Sequence, residues 1–242
     1  MTTYILLVLG LVCVTVFLLF RNKEGGIIVA AIKTLASLFF VATAVSAVIG
    51  NYVVTGTLSV SKLTFSGLVI LGLVSGLIGD LTLDLKVTYK TLNIHHSDIY
   101  TYFGMAAFGI GHVLYVVACA LFFGFTGFEV LIAAAATGLI VCGAIFLMKM
   151  RFGKFLIPTV LYTFLLTLFV ATAVGAGILT AFTVPVILLV VGAVLFLASD
   201  LVLSMIYFDG NESRVLIVVN HVLYYLAQFS IALSLYYLAV TL

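Results

Sequence analysis

Long apolar segments separated by short polar ones make up most of this chain. The apolar segments do not alternate with polar residues at every second position, as the strands of a membrane barrel would. They are about 20 residues long, the length of a helix that crosses the ~30 Å hydrocarbon core. Because backbone polar groups in lipid must be paired within their own segment, we expect helices. The sequence predicts eight of them, at about residues 3–20, 27–49, 65–85, 99–122, 128–148, 156–176, 184–207 and 215–241.

Composition agrees with a chain that lies mostly in the bilayer. Hydrophobic residues make up 65% of the sequence and charged residues only 7%, whereas soluble domains carry roughly a quarter charged residues. We therefore expect an all-α, polytopic membrane protein with a single transmembrane domain over residues 1–242 and no nucleic-acid partner. The predicted loops are too short for a soluble catalytic domain, so any chemistry takes place in or at the membrane.

The basic residues are divided unequally between the two sides of the predicted bundle. One of them, Lys33, lies inside helix 2, and one, Lys62, lies in a loop on the poorly charged side. Since Lys and Arg accumulate in cytoplasmic loops, we expect the loops joining helices 1–2, 3–4, 5–6 and 7–8 in the cytoplasm and both termini outside. Those four loops hold Arg21, Lys23, Lys86, Lys90, Lys149, Arg151, Lys154 and Arg214.

Two short motifs occur twice, in the same order. GDLTL at 79–83 resembles SDLVL at 199–203, and GHVLYVVA at 111–118 resembles NHVLYYLA at 220–227. In the predicted topology the two copies of each motif run in the same direction. The pattern predicts a parallel repeat of four plus four helices, related by a pseudo-twofold axis along the membrane normal.

Polar residues inside the predicted helices fall in one half of the bilayer. At 1.5 Å of rise per residue, Asp80 and Asp200 lie ~8 and ~10 Å from the basic ends of their helices. A charge at the centre of a membrane helix costs about 2.5–3.5 kcal/mol, so such groups should face one another. We predict one polar pocket near the cytoplasmic leaflet, with further candidate residues Lys33, His112, Tyr115, Ser199, Asn220, His221, Tyr224 and Gln228.

Several of these residues also have a purely structural explanation. Lys33 could pair with Asp80 or Asp200, His112 and His221 could hydrogen-bond between helices, and Asp84 could be solvated at the membrane end. Two carboxylates at similar depth in repeat-related positions are nevertheless the form that an acid–base pair takes. H-E-x-x-H, G-x-S-x-G and P-loop motifs do not occur in the sequence, so zinc, serine-triad and nucleotide chemistry have no support. The three cysteines lie singly, without metal-site spacing.

Four motifs in this order resemble the YhhN/lysoplasmalogenase family of eight-helix membrane proteins: GDLTL, YFGMAAFGIGHVLY at 102–115, FLASDLVL at 196–203 and YYLAQ at 224–228. The resemblance extends from about Lys33 to Gln228. Two features depart from the family pattern. Thr34 follows Lys33 where the family usually has proline, and His221 is not typical of the family.

The resemblance implies hydrolysis of the vinyl ether bond of lysoplasmalogens, single-chain ether phospholipids, without a metal or cofactor. One carboxylic acid would protonate the alkene and one carboxylate would stabilise the resulting oxocarbenium ion, as in glycosidases. Asp80 and Asp200 would be this pair, in an order that the sequence leaves open. His112 and Tyr115 would orient the water or a carboxylate, and Lys33 would face the phosphate.

Two other functions fit the same residues. Parallel repeats with carboxylates and histidines inside the membrane also occur in proton-coupled transporters. The polar layer lies toward one face, however, and Pro158 and Pro185 do not occupy matching positions in the two halves. A lipid-binding protein without catalysis is the third possibility. The sequence leaves the oligomeric state open.

Overall fold

A computed structural model describes residues 1–21, 26–89, 94–208, 210 and 213–241, and the side chains of these except 87–89, 94–97 and 239–241. Lys23 and Lys90 of the predicted basic loops lie outside the described residues. The described chain forms eight α-helices: α1 Thr2–Phe20, α2 Ile27–Thr55, α3 Val60–Tyr89, α4 Ile94–Phe123, α5 Phe128–Cys142, α6 Leu156–Leu179, α7 Val184–Phe208 and α8 Arg214–Thr241.

All eight helical segments are long and apolar enough to cross a bilayer, once α5 is counted together with the turn that continues it to Leu147. Among the residues described there is no β-strand. The predicted all-α, multi-pass membrane architecture is therefore confirmed. We call the end of the bundle that carries the loops α1–α2, α3–α4, α5–α6 and α7–α8 the basic end.

Several helix ends differ from the predicted ones. α2 continues to Thr55, six residues beyond its predicted end, and stops at Gly56, whose φ of 72° ends the helical geometry. α3 has 30 residues, a length of ~45 Å. α5 ends at Cys142 and continues as one π-helical turn, Gly143–Leu147. The joint between α6 and α7 turns through Ala181 and Phe182, both with positive φ.

Helix packing follows the predicted repeat. The most extensive contacts are those of α3 with α4 and of α7 with α8; α1 packs on α2, and α5 packs on α6. Between the halves, α4 packs on α6 and α8 packs on α2. In the repeat, helix 1 corresponds to helix 5, 2 to 6, 3 to 7 and 4 to 8. Under this correspondence, each of the contacts just named has a counterpart among the others. The fold is therefore a pseudo-symmetric four-plus-four bundle.

Small residues allow the closest helix pairs to form. Gly72 precedes Asp80 by eight residues, and Gly192 precedes Asp200 by the same interval. A Cβ at Gly72 would lie 2.3 Å from the ring of Tyr115 on α4, and one at Gly192 would lie 2.6 Å from Ile231 on α8. Only glycine fits where the helices come this close. These contacts bring α3, which carries Asp80, against α4, and α7, which carries Asp200, against α8.

Candidate functional site

A cavity of about 390 Å³ lies among the helices at the basic end, within the usual size range of small-molecule sites. Both repeat-related aspartates contribute to its wall. Polar side chains provide much of the lining, which includes Arg21, Lys33, Asp80, Asp84, Lys86, Asp98, Thr101, Arg151, Ser199, Asp200, Tyr207, Asn220, His221 and Tyr224.

Three side chains from other helices contact the Asp80 carboxyl group. The Ser37 hydroxyl donates to its Oδ2 at 2.6 Å and the Tyr224 hydroxyl donates to the same oxygen at 2.7 Å. The Lys33 ammonium lies 3.2 Å from Oδ1. Asp80 itself is only 3% exposed. Two hydroxyl donors and an ammonium each favour the ionised form of a carboxyl group.

Asp200 has different neighbours, although it occupies the corresponding position in the repeat. The Tyr162 hydroxyl of α6 donates to Asp200 Oδ2. In the part of the chain that the structure describes, no Lys, Arg or His lies within ion-pair distance of this carboxyl group. Phe108 and Leu203 line the same cavity. Asp200 therefore lies in a less charged corner of the same cavity.

The two aspartates retain one feature of the repeat in their hydrogen bonds. Ser37, which donates to Asp80, is on α2, and Tyr162, which donates to Asp200, is on α6. These helices exchange under the repeat. Each aspartate is therefore held by a hydroxyl from the second helix of its own half.

Lys33 is the centre of a buried charge network. Its Nζ lies 3.3 Å from Asp84 Oδ1 as well as 3.2 Å from Asp80, and the Arg21 guanidinium lies 3.7 Å from Asp84 Oδ1. Asp84 is 5% exposed and Lys33 is 4% exposed. From sequence, Lys33 could have paired with either Asp80 or Asp200, and the structure pairs it with Asp80. Asp84, which could have been solvated at the membrane end, is buried.

Ser199 and Asn220 join α7 to α8 next to Asp200. The Asn220 amide donates to the Ser199 carbonyl at 2.8 Å and to its Oγ at 3.0 Å. The Ser199 hydroxyl donates in turn to the Asn220 carbonyl at 3.1 Å. Both residues line the cavity, and their mutual bonds fix the distance between the two helices.

The two histidines make the same backbone contact in each half of the repeat. Nδ1 of His112 lies 2.7 Å from the carbonyl of Phe108, and Nδ1 of His221 lies 2.7 Å from that of Ile217. A carbonyl only accepts, so Nδ1 is the donor in both. His221 lines the cavity, whereas His112 lies behind its wall, 4.6 Å from the ring of Phe196.

Tyr115 and Gln228 belong to a hydrogen-bond chain behind Asp80. The Tyr115 hydroxyl donates to Gln228 Oε1 at 3.4 Å, and Gln228 Nε2 donates to the Tyr224 hydroxyl at 3.0 Å. Tyr224 then donates to Asp80. Neither Tyr115 nor Gln228 lines the cavity, so they hold Tyr224 in place while Tyr224 forms part of the wall.

Three residues of this arrangement were not identified from the sequence. Ser37 follows Lys33 by one helical turn on the same face, a spacing that predicts a shared environment. Tyr162 lies among apolar residues and threonines on α6, and no pattern in the sequence connects it with Asp200. The Tyr225 hydroxyl donates to the Lys33 carbonyl at 3.1 Å, although Tyr225 was noted only as part of a motif.

Comparison with known proteins gives one family. Comparison with curated proteins and with solved structures finds no match. The YhhN family matches residues 28–235, most of the chain. The matched range contains Lys33, Asp80, Asp200, His112, His221 and Gln228. This chain belongs to the YhhN family.

Proposed function

We propose that this protein is a membrane-embedded hydrolase that cleaves the vinyl ether bond of lysoplasmalogens. The products would be a fatty aldehyde and a glycerophospho-ethanolamine or glycerophosphocholine. Membership of the YhhN family supports this choice of reaction. The observation that carries the proposal is the placement of two repeat-related aspartates on one cavity, in unlike surroundings.

The contacts of the two carboxyl groups suggest how the roles are divided. Asp80, with the Lys33 ammonium and two hydroxyl donors, would be the carboxylate. Asp200, bound by the Tyr162 hydroxyl and without an ion-pair partner among the described residues, would be the acid. Glycosidases divide two carboxyl groups in this way, through unlike surroundings, when their transition state is an oxocarbenium ion. This assigns the order that the sequence alone leaves open.

The reaction proceeds in three steps with these groups. Asp200 donates its proton to the outer alkene carbon, and the electrons of the double bond leave an oxocarbenium ion, which the Asp80 carboxylate stabilises. Water adds to the cationic carbon and gives one proton to Asp80, forming a hemiacetal. The hemiacetal C–O bond to glycerol then breaks, the glycerol oxygen receives the proton from Asp80, and the hemiacetal hydroxyl proton returns to Asp200. Overall, one vinyl ether and one water are converted to one aldehyde and one alcohol.

The head-group phosphate is better matched to the mouth of the cavity than to Lys33. From sequence, Lys33 was expected to face the phosphate, but its ammonium contacts Asp80 and Asp84. Arg21 and the exposed Arg151 both line the cavity nearer the basic end. Guanidinium groups bind phosphate in a bidentate manner. We assign phosphate binding to Arg151 and to the guanidinium nitrogens of Arg21 other than Nη1, which lies 3.7 Å from Asp84 Oδ1. We assign charge balance to Lys33.

The orientation in the membrane follows from the loop charges. Cytoplasmic loops are enriched in Lys and Arg, and eight of the ten basic residues belong to loops at the basic end. The proposal therefore places the basic end and the cavity mouth in the cytoplasm, and both termini on the other side. The substrate would reach the cavity from the cytoplasmic leaflet.

The test is aldehyde release from lysoplasmalogen by the purified protein. Wild type should release aldehyde, and Asp80→Asn and Asp200→Asn should each reduce the rate by at least about 10²-fold, as expected when a proton-transfer group is lost. Glu129→Gln is the matched control, because Glu129 is a buried carboxylate on α5 outside this cavity. No aldehyde from folded wild type with either head group would overturn the proposed reaction. Full activity in either aspartate variant would overturn the mechanism.

A further inference from the structure

An apolar groove of about 370 Å³ continues from the cavity toward the outside of the bundle. It shares Asp200, Phe108, Phe152 and Tyr207 with the cavity wall, so the two spaces meet at the proposed acid. Beyond this junction the lining is almost entirely apolar, with side chains of α4, α5, α6 and α7. The groove therefore extends from the candidate catalytic residue away from the charged network of Lys33.

The groove exists because the two halves of the repeat differ at their first helix. In the first half α1 packs on α8 as well as on α2, and Phe17 lies 4.9 Å from His221. Under the repeat, α5 should pack on α4 in the same way. In the described residues α5 packs on α6 but not on α4 or α7. The groove fills this space.

The groove opens to the lipid-facing surface. Leu139 and Leu147, at the end of α5, and Leu201 on α7 line it and are 77%, 84% and 41% exposed. Inside the bilayer such a surface is covered by hydrocarbon. A chain from the surrounding lipid can therefore reach Asp200 sideways, between α5 and α7, without crossing the aqueous mouth.

We propose that this groove binds the hydrocarbon chain of a single-chain phospholipid, which enters between α5 and α7 and extends to Asp200. The reactive bond at the start of the chain would lie at the junction of groove and cavity, and the phosphate would lie toward Arg21 and Arg151. The identity of that bond rests on the proposed function, whereas the binding of a single hydrocarbon chain does not.

The same arrangement explains a preference for one chain over two. A second acyl chain on the glycerol would have to lie in the cavity, where Lys33, Asp80 and Asp84 form a buried charge network. Apolar side chains also line the cavity, but covering the charged groups with hydrocarbon would remove polar contacts. We therefore expect diacyl phospholipids to be excluded at the binding step.

Tryptophan fluorescence tests the chain site without any turnover. The protein contains no tryptophan, so a single introduced one is the only reporter. Met105→Trp places it in the groove. Phe103→Trp is the control, since Phe103 lies two residues away on α4, is 61% exposed and is outside the groove. The quencher is a saturated-ether lysophosphatidylcholine with bromine on its chain, which has no vinyl ether to cleave.

The groove predicts saturable quenching of Met105→Trp that unbrominated lysophosphatidylcholine reverses and diacyl phosphatidylcholine does not. Phe103→Trp should show only a linear increase with lipid concentration. Leu201→Trp, on the α7 wall, gives a second reporter if Met105→Trp does not fold. Equal and linear quenching of groove and control reporters would overturn the chain site, whatever the protein's reaction.

A blocking substitution tests whether turnover uses the groove. Gly143 lines the groove with helical φ and ψ, and a Cβ there would meet no atom within 4 Å, so Gly143→Phe fits the backbone. Gly138→Phe is the matched control on the same helix, also with open space and outside the groove. Gly143→Phe should raise KM for long-chain lysoplasmalogen roughly tenfold or more, with less effect on short chains.

The two experiments separate the two proposals. Saturable quenching with no aldehyde release from wild type would retain the chain site and reject the proposed reaction. Aldehyde release from wild type that Gly143→Phe leaves unchanged at every chain length, together with linear quenching, would retain the reaction and reject the groove.

Discussion

Asp80 and Asp200 are the same residue type at the same place in a repeat, yet their neighbours differ in charge. Lys33 and two hydroxyl donors contact Asp80, whereas the described contact of Asp200 is the Tyr162 hydroxyl. For an acid–base pair this difference is the useful property. Unlike surroundings determine which of the two carboxyl groups is the acid and which is the carboxylate.

Tyr162→Phe should separate positioning of Asp200 from overall stability. The substitution removes the hydroxyl that bonds Asp200 Oδ2 and keeps the ring. We expect aldehyde release to fall by about 10²-fold, the loss that follows when a catalytic group is misplaced, with little change in thermal stability. Tyr52→Phe, on the exposed surface of α2, is the control. Wild-type rates in Tyr162→Phe would mean that this bond does not orient the acid.

Lys33→Met should destabilise the folded protein. It leaves two buried carboxylates, Asp80 and Asp84, without the ammonium that lies within 3.3 Å of both. Removing one partner of a buried pair costs about 3–5 kcal/mol, which lowers the unfolding temperature by about 10 °C for a chain of this size. Differential scanning fluorimetry in detergent measures this.

A second substitution tests the cause of that loss. If the uncompensated charge is responsible, Lys33→Met combined with Asp84→Asn should recover part of the unfolding temperature. If the double variant is no more stable than Lys33→Met alone, the loss comes from packing around the lysine chain and not from charge.

At the scale of elements, one face of α3 positions the site. Gly72, Gly76, Asp80 and Asp84 follow one another at intervals of one turn. A Cβ at Gly76 would lie 2.5 Å from the Gln228 amide of α8, so the small residues admit α4 and α8 while the aspartates face the cavity. The burial of both carboxylates shows that this face points into the bundle.

Gly72→Leu should weaken the contact between α3 and α4. The added Cβ would lie 2.3 Å from the Tyr115 ring, which must move and so loses its bond to Gln228. Overpacking of this kind costs about 1–3 kcal/mol. Gly67→Leu, on the same helix with open space around its Cβ, should be close to neutral. The unfolding temperatures of the two variants measure the difference, and equal values would contradict the close approach.

At the scale of the whole molecule, a repeat produces the aspartate pair and a departure from the repeat produces the groove. α1 packs on α8, whereas α5, which corresponds to α1 in the repeat, does not pack on α4 within the described residues. A fully symmetric bundle would have two equivalent aspartate corners and no preferred side for a lipid chain. The asymmetry therefore gives the site a direction, from the groove at Asp200 to the network at Lys33.

Membrane orientation can be tested with single cysteines. In a variant with Cys13, Cys119 and Cys142 replaced by alanine, Ser59→Cys reports the α2–α3 loop and Lys154→Cys reports the basic end. A membrane-impermeant maleimide applied outside intact cells should label position 59 and leave position 154 unlabelled until the cells are lysed. The reverse pattern would contradict a cytoplasmic basic end and a cytoplasmic cavity mouth.

The sequence predicted the number and type of helices because backbone polar groups in lipid must be paired within their own segment. Whether a segment meets this requirement depends only on its own residues. It also predicted that Lys33, Asp80, Ser199, Asp200, Asn220, His221 and Tyr224 would share one pocket, because buried polar groups in a membrane must meet one another. It did not predict that His112, Tyr115 and Gln228 lie outside the lining of that cavity. The histidine satisfies Nδ1 on its own helix and packs among aromatic rings behind the wall.

What the sequence by itself determined is the class of protein, its eight helices, the repeat and the aspartate pair. All of these follow from residue type and spacing along one chain. Only the tertiary structure decided which partners each aspartate has, that Tyr162 bonds Asp200 and that α5 leaves a groove beside it. These depend on distances between helices far apart in sequence, and side-chain size and helix crossing set such distances only when all the helices pack together.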